Sequence, residues 1–323
     1  MAKYLVTGIA GFIGSSIARE LLERCEYVRG LDDFSTGKWE NIAEVKNKID
    51  FRGVSLQDKD GLASACQGIE YILHQAALPS VPKSVAEPEL THAVNVNGTL
   101  NLLLAARDAG VKRIVYAASS SAYGNSETLP KHEGMVPRPI SPYAVQKLTG
   151  EYYMQTFAAV YGLETVSLRY FNIFGPRQDA NSQYSAVLAK FITQMQKDES
   201  PTIFGDGEQS RDFTFVANAV QANLKACAAP AAEVSGKVFN VATGRRFTLN
   251  ETFEMLGKIT GFSGAARYAE QRTGDVKHSL ADISLAQKHL GYSPAVGFEE
   301  GLRQTVAWYQ QQADAPALTG SPR

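Results

Sequence analysis

The chain has 323 residues and a formal net charge of −1, so no global field draws it to nucleic acid or to a membrane surface. A hydrophobic fraction of 44% and a charged fraction of 20% place it among ordinary folded globular proteins rather than disordered or membrane-spanning chains. Three distant cysteines (Cys25, Cys66, Cys227) and five histidines without ligand spacing argue against a disulfide framework and a structural zinc site. The first residues run into a strand pattern at 3–7 with no long apolar stretch, so neither a signal peptide nor a membrane span is expected, and reduced thiols in the cytoplasm are.

In chain order, Tyr4-Leu5-Val6 predicts a buried parallel strand, and Ile13, Ile17 and Leu21 recur at helical spacing after it. Residues 27–31 predict the second strand, closing on Asp32, and 71–74 a further one. Residues 90–109 predict one long helix ended by Gly110, and 113–117 a strand leading into Ser119-Ser120-Ser121. Ser141 is placed to cap, and Pro142 to open, a helix that runs to Tyr161 and stops at Gly162, with the next strand at 164–168. Alternating strands and helices predict an α/β fold, a Rossmann-type doubly wound parallel sheet with right-handed crossovers. After Phe174-Gly175-Pro176 turn signals become denser, while a helix at 219–226 and a strand at 238–242 return to the sheet. The expected division is a nucleotide-binding domain of 1–175 plus 212–244, a smaller C-terminal α/β substrate lobe of 176–211 plus 245–312, and a disordered tail from 313 to 323.

Gly8-Ile9-Ala10-Gly11-Phe12-Ile13-Gly14 joins the first strand to the first helix, where a dinucleotide pyrophosphate meets a helix N-terminus. Gly8 permits the tight turn, Gly11 lets backbone approach phosphate, and Gly14 lets helix and strand pack closely. Asp32 follows Gly14 by 18 residues. A carboxylate there accepts both adenosine ribose hydroxyls and repels a 2′-phosphate, which favours NAD over NADP. Tyr143 and Lys147 then share one face of a helix just past its start. A phenol's reference pKa is ~10, and an adjacent ammonium favours the phenolate. A drop of about three units, worth ~4 kcal/mol, would make Tyr143 a base near neutral pH.

Gly8-x-x-Gly11-x-x-Gly14, Ser119 and Tyr143-x-x-x-Lys147 together resemble the extended short-chain dehydrogenase/reductase family. His74-Gln75-Ala76-Ala77-Leu78, Asn95-Val96-Asn97-Gly98-Thr99, Arg169-Tyr170-Phe171-Asn172-Ile173-Phe174-Gly175, Gly205-Asp206-Gly207, Ser210-Arg211-Asp212-Phe213 and Gly274-Asp275-Val276-Lys277-His278-Ser279 extend the resemblance to nearly the whole chain. Within the family it is similar to nucleotide-sugar 4-epimerases, in particular bacterial UDP-N-acetylglucosamine 4-epimerases. The resemblance implies an NAD site of Gly8, Gly11, Phe12, Ile13, Gly14, Asp32, Leu56, Gln75, Ala76, Ala77, Asn97, Tyr143, Lys147 and Tyr170, with Ala76, Asn97 and Tyr170 on the nicotinamide side. It implies a UDP-sugar site of Ser80, Ser119, Ser120, Tyr143, Asn172, Ala186, Val187, Phe204, Arg211, Arg272, Asp275 and Ser279. Asn172 would contact the diphosphate, Arg211 and Arg272 would clamp it, Phe204 and Gly205 would border the uracil, and Ser279 would face the sugar's 2-substituent. Tyr143, Lys147 and Ser119 are the implied catalytic group.

Related dehydratases place Asp and Glu at the two positions after Ser119, and related decarboxylases keep a Glu at the second. Ser120 and Ser121 lack that acid–base range, which favours epimerisation. The expected reaction is inversion of C4 of a UDP-hexose through a 4-keto intermediate. A small residue at Ser279 leaves room for an acetamido group, so UDP-GlcNAc and UDP-GalNAc are expected beside UDP-Glc and UDP-Gal. A UDP-uronate 4-epimerase is the alternative, though no arginine is placed beside C6; an NAD-sensing protein without catalysis and an NAD-consuming dehydrogenase are the other two. Two positions depart from the family. Ser55, with Leu56 next to it, stands where an Asp usually holds the adenine amine. Val216-Ala217-Asn218 replaces Val-Asp-Asp, with only a local packing consequence expected. The resemblance also implies a homodimer through a four-helix bundle made by the helices at 90–109 and 142–161.

Overall fold

The computed structural model describes residues 1–180, 187–270 and 277–314. Six strands and six helices build the first part: β1 (Lys3–Thr7), α1 (Phe12–Glu23), β2 (Tyr27–Leu31), β3 (Asp50–Arg52), α2 (Lys59–Cys66), β4 (Tyr71–His74), α3 (Val81–Ala86), α4 (Pro88–His92), α5 (Gly98–Asp108), β5 (Arg113–Ser119), α6 (Pro142–Tyr161) and β6 (Glu164–Tyr170). The second part adds β7 (Ile173–Phe174), α7 (Val187–Met195), β8 (Thr202–Phe204), β9 (Ser210–Arg211), β10 (Thr214–Phe215), α8 (Val216–Ala228), α9 (Ala231–Val234), β11 (Lys237–Val241), β12 (Phe247–Thr248), α10 (Leu249–Thr260), β13 (Arg267–Ala269), α11 (Ser284–Leu290) and α12 (Phe298–Asp314).

Seven strands form one parallel sheet in the order β11-β6-β5-β4-β1-β2-β3. The order reverses between β1 and β4, which opens a crevice at their C-terminal ends. One apolar layer joins Ile17, Ala18 and Leu21 of α1 to Ala219, Ala222 and Ala226 of α8. The other joins Leu62 of α2, Leu102 and Leu103 of α5, and Met154 and Phe157 of α6. Strands buried on both faces read as continuous apolar runs, as Ile114 and Val115 do. Arg113 is buried at the base of β5, where its Nη1 donates to the carbonyls of Ala226, Cys227 and Ala229 and so satisfies the C-terminal end of α8.

Helix α6 is bounded as its sequence predicts. Ser141 Oγ accepts from Ala144 N at 3.2 Å, Pro142 opens the helix, and Gly162 ends it at φ +69°. The long helix expected at 90–109 is broken. α4 passes into a π-turn at Ala93–Asn97 before α5 begins. The extra residue per turn aims the buried Asn95 sideways, where its Oδ1 accepts from Leu78 N at 2.8 Å and its Nδ2 donates to Gln146 Oε1 at 2.8 Å.

The second core gathers α7, α10 and α12 round Phe174, Phe213, Phe215 and Phe298, with three two-stranded pairs, β7–β10, β8–β13 and β9–β12. Thr248 and Glu251 close a capping box on α10. α11, assigned by sequence position to the substrate lobe, packs instead beside β11 and α8, with Ala286 and Leu290 in the first apolar layer. α12 continues to Asp314, two residues into the expected tail, and 315–323 lie outside the described residues.

Asn218 does more than the local packing expected of it. Fully buried, it donates to Val296 O at 2.8 Å and accepts from Ala295 N at 2.9 Å and Val296 N at 3.1 Å. These bonds fasten α8 to a segment some 78 residues later in the chain. Asn218→Ala would remove all three hydrogen bonds to the half-exposed 295–296 backbone. It should destabilise the fold by about 2 kcal/mol, read as a lower midpoint in thermal unfolding; an unchanged midpoint would show the staple to be energetically idle.

Candidate active site

The crevice between β1 and β4 is lined first by the glycine loop. Gly8 sits at φ +69°, and a β-carbon there would lie 2.8 Å from Ala76 N. A β-carbon on Gly14 would lie 2.1 Å from Gly8 O, so the loop closes on itself only with glycine at that position. No side chain caps the first turn of α1, whose N-cap is Gly11. That leaves the amides and the dipole of a 12-residue helix directed at the crevice, as a pyrophosphate requires. Phe12 and Ile13 stand half-buried in this first turn.

Asp32 lies at the end of β2, buried, and accepts from Ala10 N and Phe34 N, both at 2.9 Å. Burial raises its carboxyl above the usual range, against the pull of those two amides. The glycine loop is therefore tied to the residue meant for the ribose. Asp33 is pushed up by burial, but Ser35 and the Ser55 hydroxyl outweigh this and hold it low. Ser55, at the departed adenine position, thus faces Asp33. Leu56 is buried against Gly98, where a β-carbon would approach its own to 2.6 Å. Phe34, Trp39 and Phe51, with ring centroids 5.5–6.1 Å apart, form an aromatic patch beside Asp32. Sequence reasoning passed over this patch.

At the mouth of the crevice, Tyr170 OH donates to Gln75 Oε1 at 3.2 Å and accepts from Asn223 Nδ2 at 2.6 Å. Burial pushes this phenol up to about 12, so it stays neutral. Ala76 N donates to Thr7 Oγ1 at 3.2 Å, and Ala77 follows, half-buried. Asn97 is exposed at the end of the π-turn, so the local break in the helix presents it. Together these groups fit a dinucleotide.

Ser119 is the last residue of β5, two beyond the expected end of that strand. Its Oγ accepts from Ser121 N at 3.2 Å and from Ser121 Oγ at 2.8 Å. With both acceptor positions filled, its own O–H is left to donate toward the Tyr143 phenol. Against the expected drop in the Tyr143 pKa stands its burial, which pushes the phenol up to about 12, and Ser119 draws it only part of the way back. The reason is geometric. Lys147 Nζ donates to Ala117 O at 2.8 Å and lies over the Tyr116 ring, 4.9 Å from its centroid. Burial pushes the ammonium down to about 8, with Glu151 opposing. Ser84, a residue that carried no signal in the sequence, is fully buried and accepts from Tyr143 N at 3.0 Å. Ser80 caps α3 one turn earlier through Lys83 N.

On the far side, Asn172 adopts φ +38° as the chain leaves β6. Its Nδ2 donates to Asp212 O at 3.0 Å and to Ser279 Oγ at 3.1 Å, and Asp212 N donates to the same hydroxyl at 3.3 Å. Arg211 Nη1 donates to the carbonyls of Ser210 and Lys277. His278, bonded to Ser210 Oγ at 2.9 Å, is lowered by burial and then by Arg246, Lys277 and Arg211, the mark of a locally positive surface. Arg246 carries no signal in the sequence, and His278 enters there only within the 274–279 stretch. Phe204 ends β8, and Val187 opens α7. Ala186, Arg272 and Asp275 lie outside the described residues.

Because Gly14 leaves no room for a methyl group, Gly14→Ala should yield protein that loses bound NAD. Ultraviolet and high-performance liquid chromatographic assay of nucleotide released on denaturation checks this; full NAD content in the variant would contradict it.

Nearly the whole chain has known counterparts. The model of the NAD dependent epimerase/dehydratase family matches residues 4–242. A UDP-N-acetylglucosamine 4-epimerase from Methanobrevibacter ruminantium, solved with UDP-N-acetylmuramic acid, is 40% identical, with a TM-score of 0.92 over 96% of this chain and 99% of that one. The UDP-glucose 4-epimerase of Thermotoga maritima, solved with UDP-glucose, is 38% identical, with a TM-score of 0.91 over 96% and 99%. The Thermus thermophilus UDP-glucose 4-epimerase, solved with NAD, is 37% identical, with a TM-score of 0.87 over 95% and 98%. A match of this extent, running through the sheet that carries both the glycine loop and the Tyr143 helix, makes the chain a member of the NAD dependent epimerase/dehydratase family.

Proposed function

We propose that Tyr143, Lys147 and Ser119 carry out the reaction of an NAD-dependent UDP-hexose 4-epimerase, with Tyr143 exchanging the proton of the sugar O4. The observation that carries this is the Ser119–Tyr143 contact at the end of β5, with Lys147 one helical turn on. Bound NAD supplies reversible hydride acceptance at C4. Gly8, Gly11, Gly14 and Asp32 would hold it, with Ala76, Asn97 and Tyr170 on the nicotinamide side. Tyr143 takes the O4 proton as the 4-keto sugar forms and gives it back after the sugar has turned over. Ser119 donates to the same oxygen and steadies its changing charge. Asn172 and Arg211 hold the diphosphate, so the sugar turns while its handle stays fixed. Ser120 and Ser121 hydroxyls, in place of carboxylic acids, leave C5 and C6 untouched.

Ser279 faces the 2-substituent in this reading, and its small side chain admits an acetamido group. Product analysis with UDP-glucose and UDP-GlcNAc in parallel, without added NAD, is the test. Both C4 epimers should appear, no NADH should accumulate, and Tyr143→Phe should cut kcat by about 10²–10⁴. A 4-keto-6-deoxy product or stoichiometric NADH would overturn the reading. Ser279→Tyr should damage only acetamido turnover, whereas Ser279→Ala, which removes the Asn172 bond without filling space, should affect both sugars alike.

We propose that two copies associate as a homodimer through a four-helix bundle of α5 and α6. Val145, Tyr152 and Val160 expose 49%, 52% and 66% of their surface on α6, an apolar face that a second copy would cover. Analytical ultracentrifugation at micromolar concentration should return twice the mass of the chain, and a single-chain mass would refute the bundle. Among the described residues, no helix is long and apolar enough to cross a membrane.

A further inference from the structure

We propose that Glu151 is a positioning residue for the reaction: held one turn below Lys147 by Arg169, its carboxylate is the counter-charge that keeps the Lys147 ammonium in place behind Tyr143. The proposal rests on the roles given to Tyr143 and Lys147 above. Tyr143, Lys147 and Glu151 are spaced i, i+4 and i+8 on the face of α6 that packs on β5 and β6. Glu151 is 1% exposed and Lys147 4%. Arg169 of β6 grips the carboxylate with Nε at 2.9 Å and Nη2 at 2.7 Å.

The other groups facing Lys147 are neutral. Ala117 offers a carbonyl, and Tyr116 of β5 a ring whose hydroxyl burial pushes far up. His74 of β4 bridges Thr7 and Thr99, and burial, helped by Lys147 itself, pushes it down to about 3. Tyr143 and Ser119 complete the surroundings, the phenol held protonated by burial. Glu151 is thus the one anion acting on Lys147 among the described residues. The Arg169 guanidinium, bonded to Glu151, lies 4.7 Å from the centroid of the Tyr123 ring.

The pair is poorly explained as a stabilising salt bridge. Arg169 Nη1 is buried without a hydrogen-bond partner, and apolar replacements of a buried ion pair are often neutral or stabilising. A carboxylate fixed at this depth does suit a neighbouring ammonium, which loses its proton more easily in apolar surroundings.

The test reads Lys147 directly in the NAD-loaded protein. Its 13Cε resonance, assigned by its loss in Lys147→Arg, is titrated in the wild type, Glu151→Asp, Glu151→Gln and the double variant Glu151→Leu/Arg169→Met. An anion raises the proton affinity of a nearby ammonium, so removing it should lower the Lys147 midpoint by about one pH unit in Glu151→Gln. Glu151→Asp, which keeps the charge, should retain the wild-type midpoint. Glu151→Gln leaves a buried guanidinium unpaired and risks misfolding. The double variant removes both charges and should show the same fall. The alkaline limb of kcat with UDP-glucose should move to lower pH by the same amount. An unchanged midpoint in a folded double variant overturns the role of Glu151. A midpoint that falls while the activity limb stays in place overturns the role of Lys147 in the reaction.

Discussion

The close approach of α6 to β5 is the constraint on which the site depends. A β-carbon at Gly150 would lie 2.3 Å from the Tyr116 hydroxyl oxygen, so a glycine midway along the helix lets the two elements touch. That contact brings Tyr143 to the end of β5, where Ser119 waits, and sets Lys147 against the Ala117 carbonyl. It also removes water from both groups. The high phenol pKa and the low ammonium pKa have this common cause, desolvation of the charged form.

A second constraint ties the sheet to the sugar side. The chain leaves β6 and turns at Asn172, whose amide reaches both Asp212 and Ser279. Asp212 accepts from Thr243 N and Oγ1, Gly244 N and Ala281 N, and burial pushes it up to about 6. Segments distant in sequence therefore meet on one buried carboxylate, next to the residues read as the diphosphate handle. The geometry suits a reaction in which the sugar must rotate, because the groups meant to hold the handle are braced by backbone.

Much of this was legible in the chain because it is written locally. The parallel strands, the α6 cap and stop, and the glycine loop follow from apolar runs, Ser141-Pro142, Gly162 and the Gly8–Gly14 spacing. What escaped depends on contacts made after folding. The π-turn arises because Asn95 finds Leu78 and Gln146, and helical periodicity alone cannot register that. Asn218 reaches Ala295 and Val296, and Ser84 reaches the Tyr143 amide, through space rather than along the sequence. The direction of the Tyr143 shift was misjudged because i,i+4 spacing gives a shared face but not the direction in which the lysine points. Here the Ala117 carbonyl claims it.

The two shifted groups are best understood as a pair. Each resists its own charge when buried alone. As a general scale, opposite unit charges ~5 Å apart at an effective dielectric of ~20 attract by about 3 kcal/mol, worth roughly two pKa units. The value of about 12 already contains the Ser119 hydrogen bond, so a further fall toward the range of a usable base has to come from a cation such as Lys147. The gain exists only while Lys147 carries its proton, and its pKa of about 8 leaves little margin above neutrality. In the proposed reaction the base strength of Tyr143 would therefore depend on whatever keeps Lys147 charged, and the next turn of the same helix places a carboxylate there.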